Sequence, residues 1–157
     1  MGFQKSVNGD LPIGVAGDFA STNPYASVIA GEGGLIVGDE PVTVGNFAWA
    51  DDEGVVSPKK VDGGVLGFVG RSYTATILEH RVEASMEIPA GTGITLLAKG
   101  DFFAFFEDGA EIGQKVLASE DDGHVKAAED VEGGYIDTGY TVASKAEAGR
   151  VAKITKQ

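Results

Sequence analysis

Few residues in this chain are of a type and spacing that does chemistry. His80 and His124 are the only histidines, far apart and outside any His-x-x-x-His or His-x-His arrangement that would bring two imidazoles to one metal. Cysteine is absent, which removes thiolate zinc sites, disulfides and thiol nucleophiles together. Asp51-Asp52-Glu53 and Glu120-Asp121-Asp122 offer the hard oxygen ligands that calcium takes, but neither follows the alternating spacing of an EF-hand loop. Both read as solvated turns. A carboxylate pair for glycoside hydrolysis is a matter of spatial separation, roughly 5 to 10 Å, and no segment points to one.

The glycine-rich segments Gly31-Glu32-Gly33-Gly34 and Gly63-Gly64-Val65-Leu66-Gly67-Phe68-Val69-Gly70 invite comparison with phosphate-binding loops. A phosphate loop requires G-x-x-x-x-G-K followed by Ser or Thr and a helix, and a dinucleotide site requires G-x-G-x-x-G within a βαβ unit. Neither is present, nor is a G-x-S-x-G elbow. These glycines therefore read as turn and bulge residues, and the expectation is a protein that is not an enzyme and uses no cofactor or metal.

What must position any functional surface is a fold rich in short strands. The chain has 157 residues, enough to bury a single core without staples, and its 24 glycines are dispersed among Val, Ile, Thr and Phe. Strands are predicted at 35–37, 42–49, 65–69, 94–98, 102–107, 115–119, 124–128, 135–137, 140–144 and 150–155, separated by turn signals such as Asp39-Glu40-Pro41, Asp108-Gly109 and Asp121-Asp122-Gly123. Between Arg71 and Glu87 helical and strand signals compete. This punctuation predicts an all-β fold, an antiparallel β-sandwich or small β-barrel.

The formal net charge of −12 opposes binding to a phosphate backbone or an anionic membrane, so neither nucleic acid nor membrane is expected as a partner. Residues Met1 to Asp10 contain one Lys and no apolar core of a signal peptide, so classical export is not expected, and no window approaches the roughly 18 apolar residues of a membrane span.

Two features suggest contact with another protein. Residues 1–31 form an extended N-terminal arm ahead of a single β-rich domain, 32–157. The arm carries Phe3, Val7, Leu11, Ile13, Val15, Phe19, Tyr25, Val28 and Ile29 with neither helical nor strand period. So apolar a segment is no solvated tail; it packs on its own domain, on a neighbouring subunit or on a partner. The run Asp101-Phe102-Phe103-Ala104-Phe105-Phe106-Glu107 puts aromatics on both faces of one strand, which requires cover on both. Either the arm or a loop covers the second face, or it is an interface.

The segments Gly14-Val15-Ala16-Gly17-Asp18-Phe19-Ala20-Ser21-Thr22-Asn23-Pro24, Val28 to Leu35 and Val42-Thr43-Val44-Gly45-Asn46-Phe47-Ala48-Trp49 closely resemble the structural cement (capsid decoration) proteins of tailed bacteriophages. The likeness continues through Ile88-Pro89-Ala90-Gly91 and Gly100-Asp101-Phe102-Phe103 to residues 139–154, most specific in the first fifty residues. It implies a structural protein on the outside of the virion, made in the host bacterial cytoplasm. Such a protein binds across junctions between major capsid protein subunits and resists the pressure of packaged DNA. Tyr25 and Asn46 stand where family members often carry Arg, which removes the basis for a capsid salt bridge from those positions. Contacts with the shell or a neighbouring copy, in a trimer about a local threefold, are then expected from Phe3, Leu11, Ile13, Phe19, Tyr25, Phe103 and Phe105. A carbohydrate-binding β-sandwich, with Trp49, Tyr73 and Tyr135 as stacking platforms, is the alternative.

Overall fold

The architecture follows from where the chain alternates and where glycine interrupts it. The structure, a computed structural model, describes residues 13–71 and 86–157; Phe3, Leu11, Tyr73, His80 and most of the 71–87 stretch lie outside the described residues. Among the described residues there is no helix and there are thirteen strands. They are β1 (Ala26–Ser27), β2 (Leu35–Val37), β3 (Val42–Thr43), β4 (Phe47–Ala50), β5 (Val55–Ser57), β6 (Val65–Val69) and β7 (Glu87–Ile88), then β8 (Gly93–Ile94), β9 (Leu96–Phe106), β10 (Lys115–Ser119), β11 (Val125–Ala128), β12 (Tyr135–Val142) and β13 (Arg150–Lys156).

The fold is an all-β sandwich. Its main sheet runs β11-β10-β12-β13-β9-β6-β4-β5-β2-β8, with β1 also on β9, while β3 and β7 form a separate pair. The path is open at β11 and β8, so the barrel alternative is not realised. One pairing departs from the antiparallel expectation: β2 and β5 run parallel, Ile36 opposite Val55. Parallel neighbours need a crossover, and the intervening β4 pairs with β5 on its other side.

Glycines redraw several predicted boundaries. The segment 42–49 is two strands, because Gly45 (φ +87°) turns the chain and the Asn46 amide bonds the Thr43 carbonyl at 3.2 Å. Val42 then pairs with Ile88 in the small sheet, while Phe47–Ala50 joins the main one. Conversely, Gly100 does not end a strand: β9 passes through it at φ +133°. Gly139 likewise lies inside β12, where the register between β10 and β12 slips from Lys115↔Thr141 to Leu117↔Asp137, a bulge. Asp108-Gly109 makes a turn but no hairpin with the next strand, since Ala110 bridges to Ala146 instead.

Burial shows why β4 reads Phe-Ala-Trp-Ala. All four residues are buried: Phe47 and Trp49 enter one core with Phe68, Phe102, Phe106 and Tyr140, and Ala48 and Ala50 face a second with Val37, Val56 and Leu96. The sheet is covered on both faces here, and β9 spans both halves, giving Leu97 and Phe102 to one core and Leu96 to the other.

Candidate interaction surface

The arm is fastened to β9 by its backbone. Gly17 donates to the Phe103 carbonyl at 2.8 Å, Phe103 donates to Asp18 at 2.9 Å, Ala20 to Asp101 at 2.9 Å and Val28 to Leu96 at 2.8 Å. The Arg71 amide donates to the Gly17 carbonyl at 2.8 Å, so Gly17 ties β9 to the chain leaving β6. Gly17 has φ +91° and a Cβ there would strike Val44, which makes glycine necessary.

A side-chain latch reinforces this seat. One oxygen of the Asp101 carboxylate accepts from Ser21 Oγ at 2.6 Å and Asn23 Nδ2 at 2.7 Å, and the other accepts from Thr155 Oγ1. Arm, β9 and β13 thus meet at one group. The hydrogen bonds from Ser21 and Thr155 hold the carboxyl below the ordinary aspartate value, outweighing its partial burial.

Several described apolar side chains of the arm nevertheless stay exposed: Ile13 is 65% accessible, Phe19 40% and Tyr25 60%. Phe19 leans on Tyr25 with ring centroids 4.8 Å apart and on buried Phe102 at 5.2 Å. Both rings border a groove of about 680 Å³ that also meets Ile36, Ile94 and Leu97. The arm's backbone therefore adopts the intramolecular alternative, while many of its side chains do not.

The aromatic run resolves by alternation. Phe102, Ala104 and Phe106 are buried, whereas Phe103 is half-buried and Phe105 is 41% accessible on the opposite face. Gly14 crosses the Phe103 ring so closely that a Cβ would drive into it, so the arm gives that face part of the cover it requires. Phe105 keeps its exposure. The structure thus sets Phe103 and Phe105 on the outer face of β9, and Phe19 and Tyr25 over the ring that Phe102 sends into the core.

Other chemical candidates resolve into structural roles. Asp51 Oδ1 accepts from the amides of Glu53 and Val55, and Asp122 Oδ1 from that of His124, so these acids shape turns. Among the described residues no cluster of three or more His, Cys, Asp or Glu could hold a metal. His124 stands 3.9 Å from Glu107. Trp49 is only 2% accessible, which removes it as a sugar-stacking platform and corrects that alternative. Tyr135 is half-buried with the Lys126 ammonium 5.4 Å from its ring centre.

Two of the segments that carry the phage-protein resemblance, 14–24 and 100–103, are joined by this latch. A family model described as XM1 gp53 minor capsid protein matches residues 3–156. The chain belongs to the XM1 gp53 minor capsid protein family. A chain of the solved capsid of Myoviridae phage XM1 superposes with a TM-score of 0.58 at 17% identity, over 99% of this chain and 97% of that one, a likeness of fold. No curated protein matches.

Membership in this minor capsid protein family places the chain among phage capsid-associated proteins. The sequence did not disclose Asp101 as the point where arm and sheet join. Its signal was faint: an acidic residue inside an apolar strand, with Ser, Thr and Asn together in the arm. Such a carboxylate needs donors, and only the fold shows that Ser21 and Asn23 supply them.

Proposed function

We propose that the protein is a capsid cement: it binds the outer surface of the assembled head across junctions between major capsid protein subunits and stabilises the shell against packaged DNA. The observation that carries this reading is the division within the described part of the arm, whose backbone bonds β9 at Gly17, Asp18, Ala20 and Val28 while Ile13, Phe19 and Tyr25 remain exposed. A segment ordered in this way presents apolar groups with little entropy left to lose, which favours docking. Phe103 and Phe105 extend the contact, as do Phe3 and Leu11 beyond the described residues. The molecule is made in the host cytoplasm and ends on the virion exterior.

Stabilisation follows from linkage. A protein that binds the assembled lattice and not free subunits stabilises it by RT ln(1 + [L]/Kd), about 2.7 kcal/mol per site at a hundredfold excess over Kd. Association of copies into a trimer about a local threefold makes further contacts intramolecular and raises avidity. The test is retention on purified heads assembled without the protein. Full-length protein should load and survive washing, and a chain lacking residues 2–24 should be lost; full occupancy by the truncated chain would overturn the arm's role.

A further inference from the structure

The chain's positive charges are distributed unequally. Among the described residues, six cations stand beside a carboxylate: Lys59 with Glu40 at 2.6 Å, Lys60 with Glu120 at 2.7 Å, Lys126 with Glu132 at 2.6 Å, Lys145 with Glu111 at 2.9 Å, Arg71 with Asp18 at 3.6 Å and Lys115 with Asp130 at 3.9 Å. The other four described cations, Lys99, Arg150, Lys153 and Lys156, show no carboxylate within that range, and all four lie on β9 or β13.

These four differ in what they are free to do. Lys156 donates to the Thr138 carbonyl at 2.9 Å and sits over the Tyr140 ring, so it is engaged inside the fold. Arg150 stands where β13 begins, opposite Phe106. Lys99 and Lys153 are exposed, and they flank the outer aromatic face. Accessibility alternates without a break from Lys99 through Asp101, Phe103 and Phe105. Lys153 is the direct cross-strand partner of Phe103, its ammonium 5.8 Å from the ring centre. Asp101, the one carboxylate in this row of β9, is already occupied by hydroxyl and amide donors.

We propose that the β9–β13 outer face docks on a carboxylate-bearing protein surface of the capsid, with Lys99 and Lys153 pairing with its acidic side chains around the apolar contact of Phe103 and Phe105. This rests on the capsid-docking reading above and specifies the chemistry of the surface met. The net charge of −12 supplies the argument. An acidic partner is repelled by most of this molecule, and the other described cations stand beside carboxylates of their own. Among the described residues only the β9–β13 face offers it unpaired positive charge, so approach through the other described surfaces is disfavoured. Electrostatics of this kind acts on orientation and association rate more than on final affinity.

The experiment measures association of the purified protein with heads of its phage assembled without it, at about 0.05 M and about 0.5 M NaCl, where screening lengths differ severalfold. A Lys99→Glu/Lys153→Glu variant should associate about tenfold more slowly at low salt and match the wild type at high salt. Lys59→Glu/Lys145→Glu, with the same change in net charge, should have a much smaller effect. Surface substitutions of this kind leave folding nearly unchanged, and circular dichroism checks that they have. Equal slowing by both variants, or a deficit of the Lys99→Glu/Lys153→Glu variant that persists unchanged at high salt, overturns the acidic partner and leaves docking standing. Absence of wild-type binding at both salts removes the docking reading and this inference together.

Discussion

Phe19 and Phe102 stand with ring centroids 5.2 Å apart, one 40% accessible and the other fully buried. Phe102 in turn stacks on Phe68 at 5.0 Å, and Phe68 meets Phe47 edge-on at 5.3 Å. From Tyr25 inward the aromatic contacts are continuous, so the exposed rings of the arm are braced by the core and held in place before any partner arrives.

Substitution at the outer end of that series separates binding from stability. Phe19→Ala should cost about 1 kcal/mol in denaturant unfolding, the scale of one aromatic pair. Tyr25→Ala should cost less. The double variant should nonetheless be retained on heads several-fold less well than the wild type. Unchanged retention would place the docking contact elsewhere.

The Asp101 latch makes arm seating sensitive to acid. Its folded-state pKa is lowered from 3.8, so its contribution is complete above that value and is lost as pH falls through 3.8 and below. Hydrogen exchange at the Gly17 and Ala20 amides, corrected for intrinsic rates, should show protection falling between pH 5 and pH 3, roughly the window set by that linkage. Asp101→Asn should start with weaker protection and show little of this change.

Gly123 makes a prediction about the fold alone. It has φ +70°, accepts from the Phe47 amide at 2.9 Å, and a Cβ there would run into the Phe47 carbonyl oxygen. Gly123→Ala should destabilise by about 3 kcal/mol or more through strain and displacement of β4. Gly123→Asn should fare no better, although Asn tolerates positive φ, because the obstruction is steric.

Trp49→Ala should behave as a core truncation, costing about 3–5 kcal/mol in chemical denaturation. It should leave glycan binding, assayed on an array, no different from that of the wild type. Sugar binding lost selectively with this side chain would restore the carbohydrate reading.

The all-β class was legible because alternation is local: Phe102, Ala104 and Phe106 face inward as a period of two requires, and Lys115–Ser119 has its predicted bounds. What glycine does within a strand was not. Gly45 breaks one and Gly100 is carried through another, and the difference lies in the neighbours: Gly45 turns beneath Ala16, while β9 past Gly100 is paired with β13. Partner choice is non-local too, which is why the parallel pairing of β2 with β5 and the burial of Trp49 were not foreseen. The candidate surface was half legible. Exposed apolar groups in the arm could be anticipated from composition, but their bracing through Phe102 and Asp101 depends on contacts between segments about eighty residues apart.

The dependence of β9 on strands from every part of the chain bears on the order of folding. It pairs with β1 and β6, made before it, and with β13, made after it. A ribosome that has just released β9 has not yet synthesised the seven residues of β13 that line its remaining length. Until they emerge, Phe103 and Phe105 lie on an unfinished edge open to other chains. The arm, already made and able to bond to Asp101 and Phe103, can shield that length of the strand, beyond the reach of β6, during synthesis.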